Sequence, residues 1–325
     1  MATLKDVAKE AGLTTSTVSR VLNNRGYISD NARKKVGDAM KKLDYYPNEV
    51  ARSLHGKSTN TIGLIVPHIR HPYFAETISN LEDQAYKKGY KILLFNSQSV
   101  HEKAVEYVNT CVGNRVAGII LCSGSVPMEV FEGIGVPIIT MERFLENGTA
   151  SVECDNKQGG AMAAEKLISC GCRHLLYIGN VNSVSMPADL RAEGFRDICE
   201  KRKVFYKEFS TEELQYNDMR YDELLDNILK KYPETDGVFA SSDFIGAQIL
   251  QTCRKLGIRV PEDMKIVGFD DVNLASLTTP QLTTIHQPIK EMAETAIRLL
   301  DDSVAGKMVP RRTVLPVRLV ERGTA

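Results

Sequence analysis

The chain has 325 residues, 43% hydrophobic and 25% charged, which is enough for about two domains and a large core. Its 41 Lys and Arg balance 41 Asp and Glu, which argues against a protein that coats nucleic acid with its whole surface. No run approaches the ~18 apolar residues of a membrane span, and the N-terminal stretch is too regularly charged to be a secretion signal, so a cytoplasmic setting is expected.

The even balance hides an asymmetry. Residues 1–60 hold 11 Lys and Arg against 6 Asp and Glu, leaving 30 against 35 in the remainder. A basic N-terminal module on an acidic body suits DNA binding by one end. Thr3 is placed to cap a first helix, with Asp6 as the weaker half of a capping box and Val7, Ala8 and Ala11 as its apolar stripe. Gly12 gives the turn, and Thr14 caps a second helix whose Val18, Val21 and Leu22 face inward. Thr15, Ser16 and Arg20 then point outward, as small polar groups must to reach base edges in a major groove. A third helix is expected from about Asp30 to Leu43, capped by Ser29 and stopped by Tyr45, Tyr46 and Pro47.

Leu4-Lys5-Asp6-Val7-Ala8 through Thr17-Val18-Ser19-Arg20-Val21-Leu22-Asn23 resembles the DNA-binding headpiece of the lactose-repressor/galactose-repressor family of bacterial transcription regulators. Tyr46-Pro47-Asn48-Glu49-Val50-Ala51-Arg52-Ser53-Leu54 resembles that family's hinge helix. The resemblance implies base contacts by Thr15, Ser16 and Arg20, and phosphate contacts by Thr17, Asn23 and Arg25. It also implies a minor-groove wedge at Leu54, with His55 beside it.

Beyond the polar link at 56–60 the pattern becomes alternating strand and helix. Apolar runs at Ile62–Val66, Lys91–Phe95, Val116–Leu121 and Pro137–Met141 read as strands buried on both faces, as in a parallel sheet. The alternation resumes at His174–Gly179, Phe205–Phe209, Gly237–Ala240 and Lys265–Phe269. Helices are expected between the strands, including 72–88, 102–112, 128–132, 160–169, 189–200, 222–231 and 245–256. This is an α/β, doubly wound pattern in two halves.

The motifs at 63–67, 116–120, 155–160, 267–271, 282–288 and 315–320 extend the resemblance to the whole chain. They imply a type I periplasmic-binding-protein-like core behind the all-α headpiece. The implied domains are a headpiece at 1–47, a hinge helix and linker at 48–60, and two effector subdomains. The N-terminal one takes 61–159 plus 288–316, and the C-terminal one 160–287 plus 317–325.

Open α/β sheets bind ligands beyond the C-terminal ends of their strands. Those ends carry Tyr73, Phe74, Glu142, Ser242, Asp243, Phe244 and Asp270. The resemblance implies that Arg191 and Asp270 hold the effector, with Glu142, Ser242 and Gln287 as secondary contacts. Vicinal sugar hydroxyls accept from a guanidinium fork and donate to a carboxylate, and Tyr73 and Phe74 would cover the apolar face of the ring. Asp270 also reads as a helix cap or interdomain salt bridge, and Glu142 and Ser242 as ordinary loop residues.

No metal site, cofactor loop or hydrolase elbow is legible. His68 and His71 lack further ligands, and Cys170-Gly-Cys172 has no second pair, so reduced thiols are expected. An isolated hinge helix of about eight residues is marginal in water, which requires two copies packed on DNA. The expectation is therefore a homodimeric repressor on a palindromic operator, without enzymatic activity, controlled by a small sugar or sugar phosphate. Arg25-Gly-Tyr-Ile-Ser29 and Met141-Glu-Arg-Phe-Leu145 resemble the sucrose-operon branch of the family. A purine-type corepressed regulator, or a catabolite-control regulator partnered by a phosphorylated carrier protein, is the alternative.

Overall fold

A computed structural model describes residues 2–22, 26–45, 59–122, 128–131, 133–143, 148–180 and 186–325. The hinge-helix reading with Leu54 and His55, and the readings of Asn23 and Arg25, lie outside the described residues. The chain forms two compact units, Met1–Thr59 and Asn60–Ala325.

In the first unit, helix α1 (Leu4–Ala11) begins with a reciprocal capping box. Thr3 Oγ1 accepts the Asp6 N–H at 3.4 Å, and the Asp6 carboxylate accepts the Thr3 N–H at 2.8 Å. Gly12, at φ +64°, ends it in the left-handed conformation that glycine adopts without strain. Thr14 Oγ1 accepts the Thr17 N–H at 3.2 Å at the start of α2 (Thr15–Leu22), and Ser29 Oγ accepts the Ala32 N–H at 3.3 Å to start α3 (Asp30–Lys42). Val7, Ala8, Ala11, Val18, Val36 and Ala39 form a small common core.

In the second unit the chain runs through β1 (Thr61–Val66), α4 (Pro72–Lys87), β2 (Lys91–Asn96), α5 (His101–Gly113), β3 (Gly118–Leu121), β4 (Ile138–Met141) and β5 (Ala150–Cys154). It continues with α6 (Asn156–Ser169), β6 (His174–Asn180), α7 (Leu190–Arg202), β7 (Phe205–Thr211), α8 (Glu213–Asp218), α9 (Asp222–Lys231), β8 (Gly237–Ala240) and α10 (Asp243–Leu256). It closes with β9 (Lys265–Asp270), α11 (Asn273–Leu277), β10 (Thr283–His286), α12 (Ile289–Val304), β11 (Arg312–Leu315) and β12 (Arg318–Val320).

The strands form two six-stranded sheets, ordered β11-β5-β4-β3-β1-β2 and β12-β10-β9-β8-β6-β7. Every pairing is parallel except β10 with β12. The chain passes between sheets three times. It crosses from β5 into α6, which packs on the second sheet, and from β10 into α12, which packs on the first. The third crossing runs from β11 into β12. Each sheet with its helices is a lobe.

Several elements differ from the sequence expectation. β5 and β11 are strands where none was expected, because their polar residues satisfy each other across the pair. Arg312 donates to the buried Glu153 at 2.8 Å, and Glu153 accepts from Ser151 at 3.0 Å. The helix expected at 128–132 is a short 3₁₀ turn at Met128–Phe131.

The tightest packing in the second lobe is between α6 and α7. A Cβ on Gly160 would overlap the carbonyl oxygen of Arg191, and one on Gly194 would overlap that of Lys157. Only glycine permits this mutual approach. Among the described residues no helix is long and apolar enough to cross a membrane.

Candidate functional site

On the first unit, α2 presents Thr15, Ser16 and Arg20 exposed, with Val18 fully buried beneath them and Thr17 half-buried. The Thr14 hydroxyl lies 2.8 Å from that of Ser16 and 2.9 Å from that of Thr17, so the hydroxyls near the helix start are held in fixed positions. This is the outward face that the sequence pattern requires.

In the second unit the C-terminal strand ends carry a buried polar network centred on Arg191, in the first turn of α7. Its Nε donates to Asn156 Oδ1 at 2.7 Å, and its Nη1 donates to the Ser241 carbonyl at 2.6 Å. Nη1 also lies 3.7 Å from Asp270 Oδ1. The guanidinium carbon sits 3.6 Å from the centre of the Phe269 ring, whose quadrupole favours a cation.

Asp270 ends β9 at φ +117°, a backbone region that L-residues rarely occupy. Its Oδ1 accepts from Gln287 Nε2 at 2.7 Å. Burial, with Glu142 and Glu76 adding repulsion against the pull of Arg191 and Gln287, pushes its carboxyl up to about 7. Glu142, after β4, is also raised by burial, against Arg191 and its own hydrogen bonds. It accepts from the Cys154 N–H at 2.6 Å and from Asn156 Nδ2 at 2.7 Å. Gln287 is buried and its Oε1 has no hydrogen-bond partner.

An aromatic group stands beside this network. The His71 ring lies 5.7 Å from Phe74 and 5.5 Å from Phe244, which brings the first and second lobes together. Burial drives the His71 pKa down to about 4, so the ring is neutral near pH 7. His68 reaches Asn217 at 3.0 Å and Tyr216 edge-on at 4.9 Å, a second bridge between lobes.

The structure thus brings Glu142, Arg191, Asp270 and Gln287 into one network, and Phe74 and Phe244 into one aromatic group. The Tyr73 ring meets that of Phe74 edge-on, with centroids 5.1 Å apart. Tyr73 is only 8% exposed, in a cluster with Val272 and Ile289. The Ser242 hydroxyl is engaged at 3.3 Å as the cap of α10, accepting the Ile245 N–H.

Asn156, absent from the sequence expectation, and Asp243, one of the strand-end residues expected after Gly237–Ala240, complete the site. Asn156 links Glu142 to Arg191, and its place in the motif at 155–160 was its only signal. Asp243 accepts from the Thr284 hydroxyl at 2.5 Å and the Val272 N–H at 3.0 Å, fixing the segment that follows Asp270. Among the described residues no His, Cys, Asp and Glu cluster of three or more could hold a metal ion.

A helix-turn-helix unit and a two-lobed α/β body with a buried polar cleft define a ligand-responsive DNA-binding regulator. Comparison with known proteins agrees at both ends. The model of the bacterial regulatory proteins of the lacI family matches residues 3–48, and that of the periplasmic binding protein-like domain matches 164–325. The chain is 35% identical to the ribose operon repressor of Halalkalibacterium halodurans, over 100% of this chain and 97% of that one. It is 36% identical to the sucrose operon repressor of Streptococcus mutans, over 98% of each. A regulator of Alkaliphilus metalliredigens solved with D-xylulofuranose is 31% identical, with a TM-score of 0.72 over 82% of this chain and 99% of that one. The lac repressor dimer bound to operator shares the fold, with a TM-score of 0.85 at 24% identity over 99% and 98% of the two chains. The chain belongs to the lacI family of bacterial regulatory proteins.

Proposed function

We propose that this chain is a cytoplasmic, homodimeric repressor of a sugar-utilisation operon, whose grip on a palindromic operator is controlled by a small neutral sugar. The observation that carries the reading is the buried pair Arg191 and Asp270, 3.7 Å apart. A guanidinium beside a carboxylate matches a sugar, whose hydroxyls accept from one and donate to the other. Relatives named as ribose and sucrose operon repressors support it, as does a lacI-family regulator from Enterococcus faecium solved with bound ribose. In this reading Thr15, Ser16 and Arg20 read bases and Thr17 holds a phosphate. Arg191, Asp270, Glu142, Gln287, Ser242, Tyr73, Phe74 and Phe244 line the effector cleft between subdomains 61–159 plus 288–316 and 160–287 plus 317–325.

Charge favours a free sugar over its phosphate ester. The buried Arg191 guanidinium already faces the buried carboxyls of Asp270 and Glu142. The segments 123–127, 144–147 and 181–185 contain no Lys or Arg. An added phosphate would leave uncompensated charge in a low-dielectric site. The reading includes no catalytic step, since the polar groups of the cleft are held by one another rather than arranged as nucleophile and base.

A second reading, a purine-responsive corepressed regulator, draws on 30% identity to the repressor PurR of Vibrio cholerae. The test is fluorescence anisotropy of the full chain on its own upstream DNA, with ribose, fructose, sucrose, their phosphate esters and purine bases. Release by a free sugar supports the proposal. Release by an ester alone overturns its neutral-ligand part, and tightening by a purine establishes the second reading.

A further inference from the structure

The two anchors of the cleft are each tied by an amide to a place where the chain changes lobe. Asn156 is the first residue of α6, directly after the crossing from β5. Its Oδ1 takes Arg191 Nε of the second lobe at 2.7 Å, while its Nδ2 donates to Glu142 of the first lobe at 2.7 Å. Gln287 stands at the next crossing, between β10 and α12, and its Nε2 donates to Asp270 at 2.7 Å.

The Asn156 amide is 1% exposed and its two ends face opposite lobes. The Glu142 carboxylate is fixed in turn by the Cys154 N–H at the end of β5. Arg191 cannot retreat from Asn156 by moving its helix, because Gly160 and Gly194 lock α6 and α7 backbone to backbone. A ligand that re-aims the Arg191 guanidinium therefore works directly on a strut spanning the crossing.

We propose that Asn156 is a positioning residue that couples cleft occupancy to the relative rotation of the two lobes, through Arg191 on one side and Glu142 on the other. The inference rests on the sugar-repressor reading. Its two legs are separable. In Asn156→Asp an oxygen still accepts from Arg191, but the amide N–H that donates to Glu142 is gone and two carboxyls share that place. In Asn156→Ala both legs go.

The test uses the full chain, its operator DNA, and whichever of ribose, fructose or sucrose releases the wild type. Sugar affinity is measured by calorimetry, and the sugar-induced change in operator affinity by anisotropy. Asn156→Asp is expected to shrink the sugar-induced change in operator affinity by about tenfold or more, and by more than it changes sugar affinity itself. Asn156→Ala is expected to lose both. A wild-type operator response in Asn156→Asp overturns the proposal. If the wild type answers no sugar, the sugar reading fails, and ligand-free hydrogen exchange at 153–157 then tests the strut alone. Faster exchange in Asn156→Asp supports it and unchanged exchange overturns it.

Discussion

The two units treat polar side chains in opposite ways. Among its described residues, the N-terminal unit buries a small, wholly apolar core and keeps Thr15, Ser16, Arg20 and six Lys residues, Lys5, Lys9, Lys34, Lys35, Lys41 and Lys42, at the surface. The body takes Glu142, Arg191, Asp243 and Asp270 out of water and satisfies them with Asn156, Gln287, Thr284 and backbone groups. A duplex is a large, wet, strongly charged partner, and exposed groups meet it at little desolvation cost. A sugar is small and neutral, so selectivity for it comes from buried groups whose hydrogen bonds only the right hydroxyls complete.

Substitutions in each unit can break this contrast, and the largest effect is expected from Gly160→Ala. The added methyl would collide with backbone rather than with a movable side chain. A loss of about 3 kcal/mol or more is expected in denaturant unfolding of the body. Helical signal from the headpiece should survive if the two units unfold separately.

Asp270→Asn comes next. The folded-state carboxyl is raised to about 7, so the folded protein binds more protons than the unfolded chain at mildly acidic pH. Stability associated with this group is fully present below about pH 4 and is lost as pH rises from there through about 7. The wild-type melting temperature should fall by a few degrees from pH 6 to pH 8, on the order of 2 kcal/mol. Asp270→Asn should flatten that slope and abolish the sugar response, while operator binding persists. An unchanged slope would show that the charge is compensated elsewhere.

In the other unit, Arg20→Ala should cost about 1–3 kcal/mol of operator discrimination and leave sugar binding untouched, as calorimetry on the same protein will show. The smallest effect is expected from Thr3→Ala. It removes one half of the α1 capping box, worth about 1 kcal/mol of headpiece stability in thermal melts.

What the sequence discloses follows the same division. The headpiece is legible almost residue by residue, because its caps, turn glycine and apolar stripe are local: Thr3 with Asp6, Gly12, Thr14 and Ser29 all act within three residues of themselves. The strands β1, β3, β8 and β9 are legible as apolar runs. β5 and β11 are not, since Glu153 looks like an exposed residue until Arg312, 159 positions away, is brought beside it. Among cleft residues, Arg191 and Asp270 stand out by motif. Asn156 does not, because its role depends on partners from two different lobes. The burial of Tyr73 was equally invisible, being set by Val272 and Ile289 from the far end of the chain.

The close approach of α6 and α7 at Gly160 and Gly194 has an evolutionary consequence. With α6 and α7 locked at the backbone, the positions of Asn156 and Arg191 relative to each other are inherited as a unit. In the proposed sugar cleft, new preferences would then arise from other side chains, such as Phe74 and Phe244 beside His71. A lineage built this way can change its diet while keeping its switch.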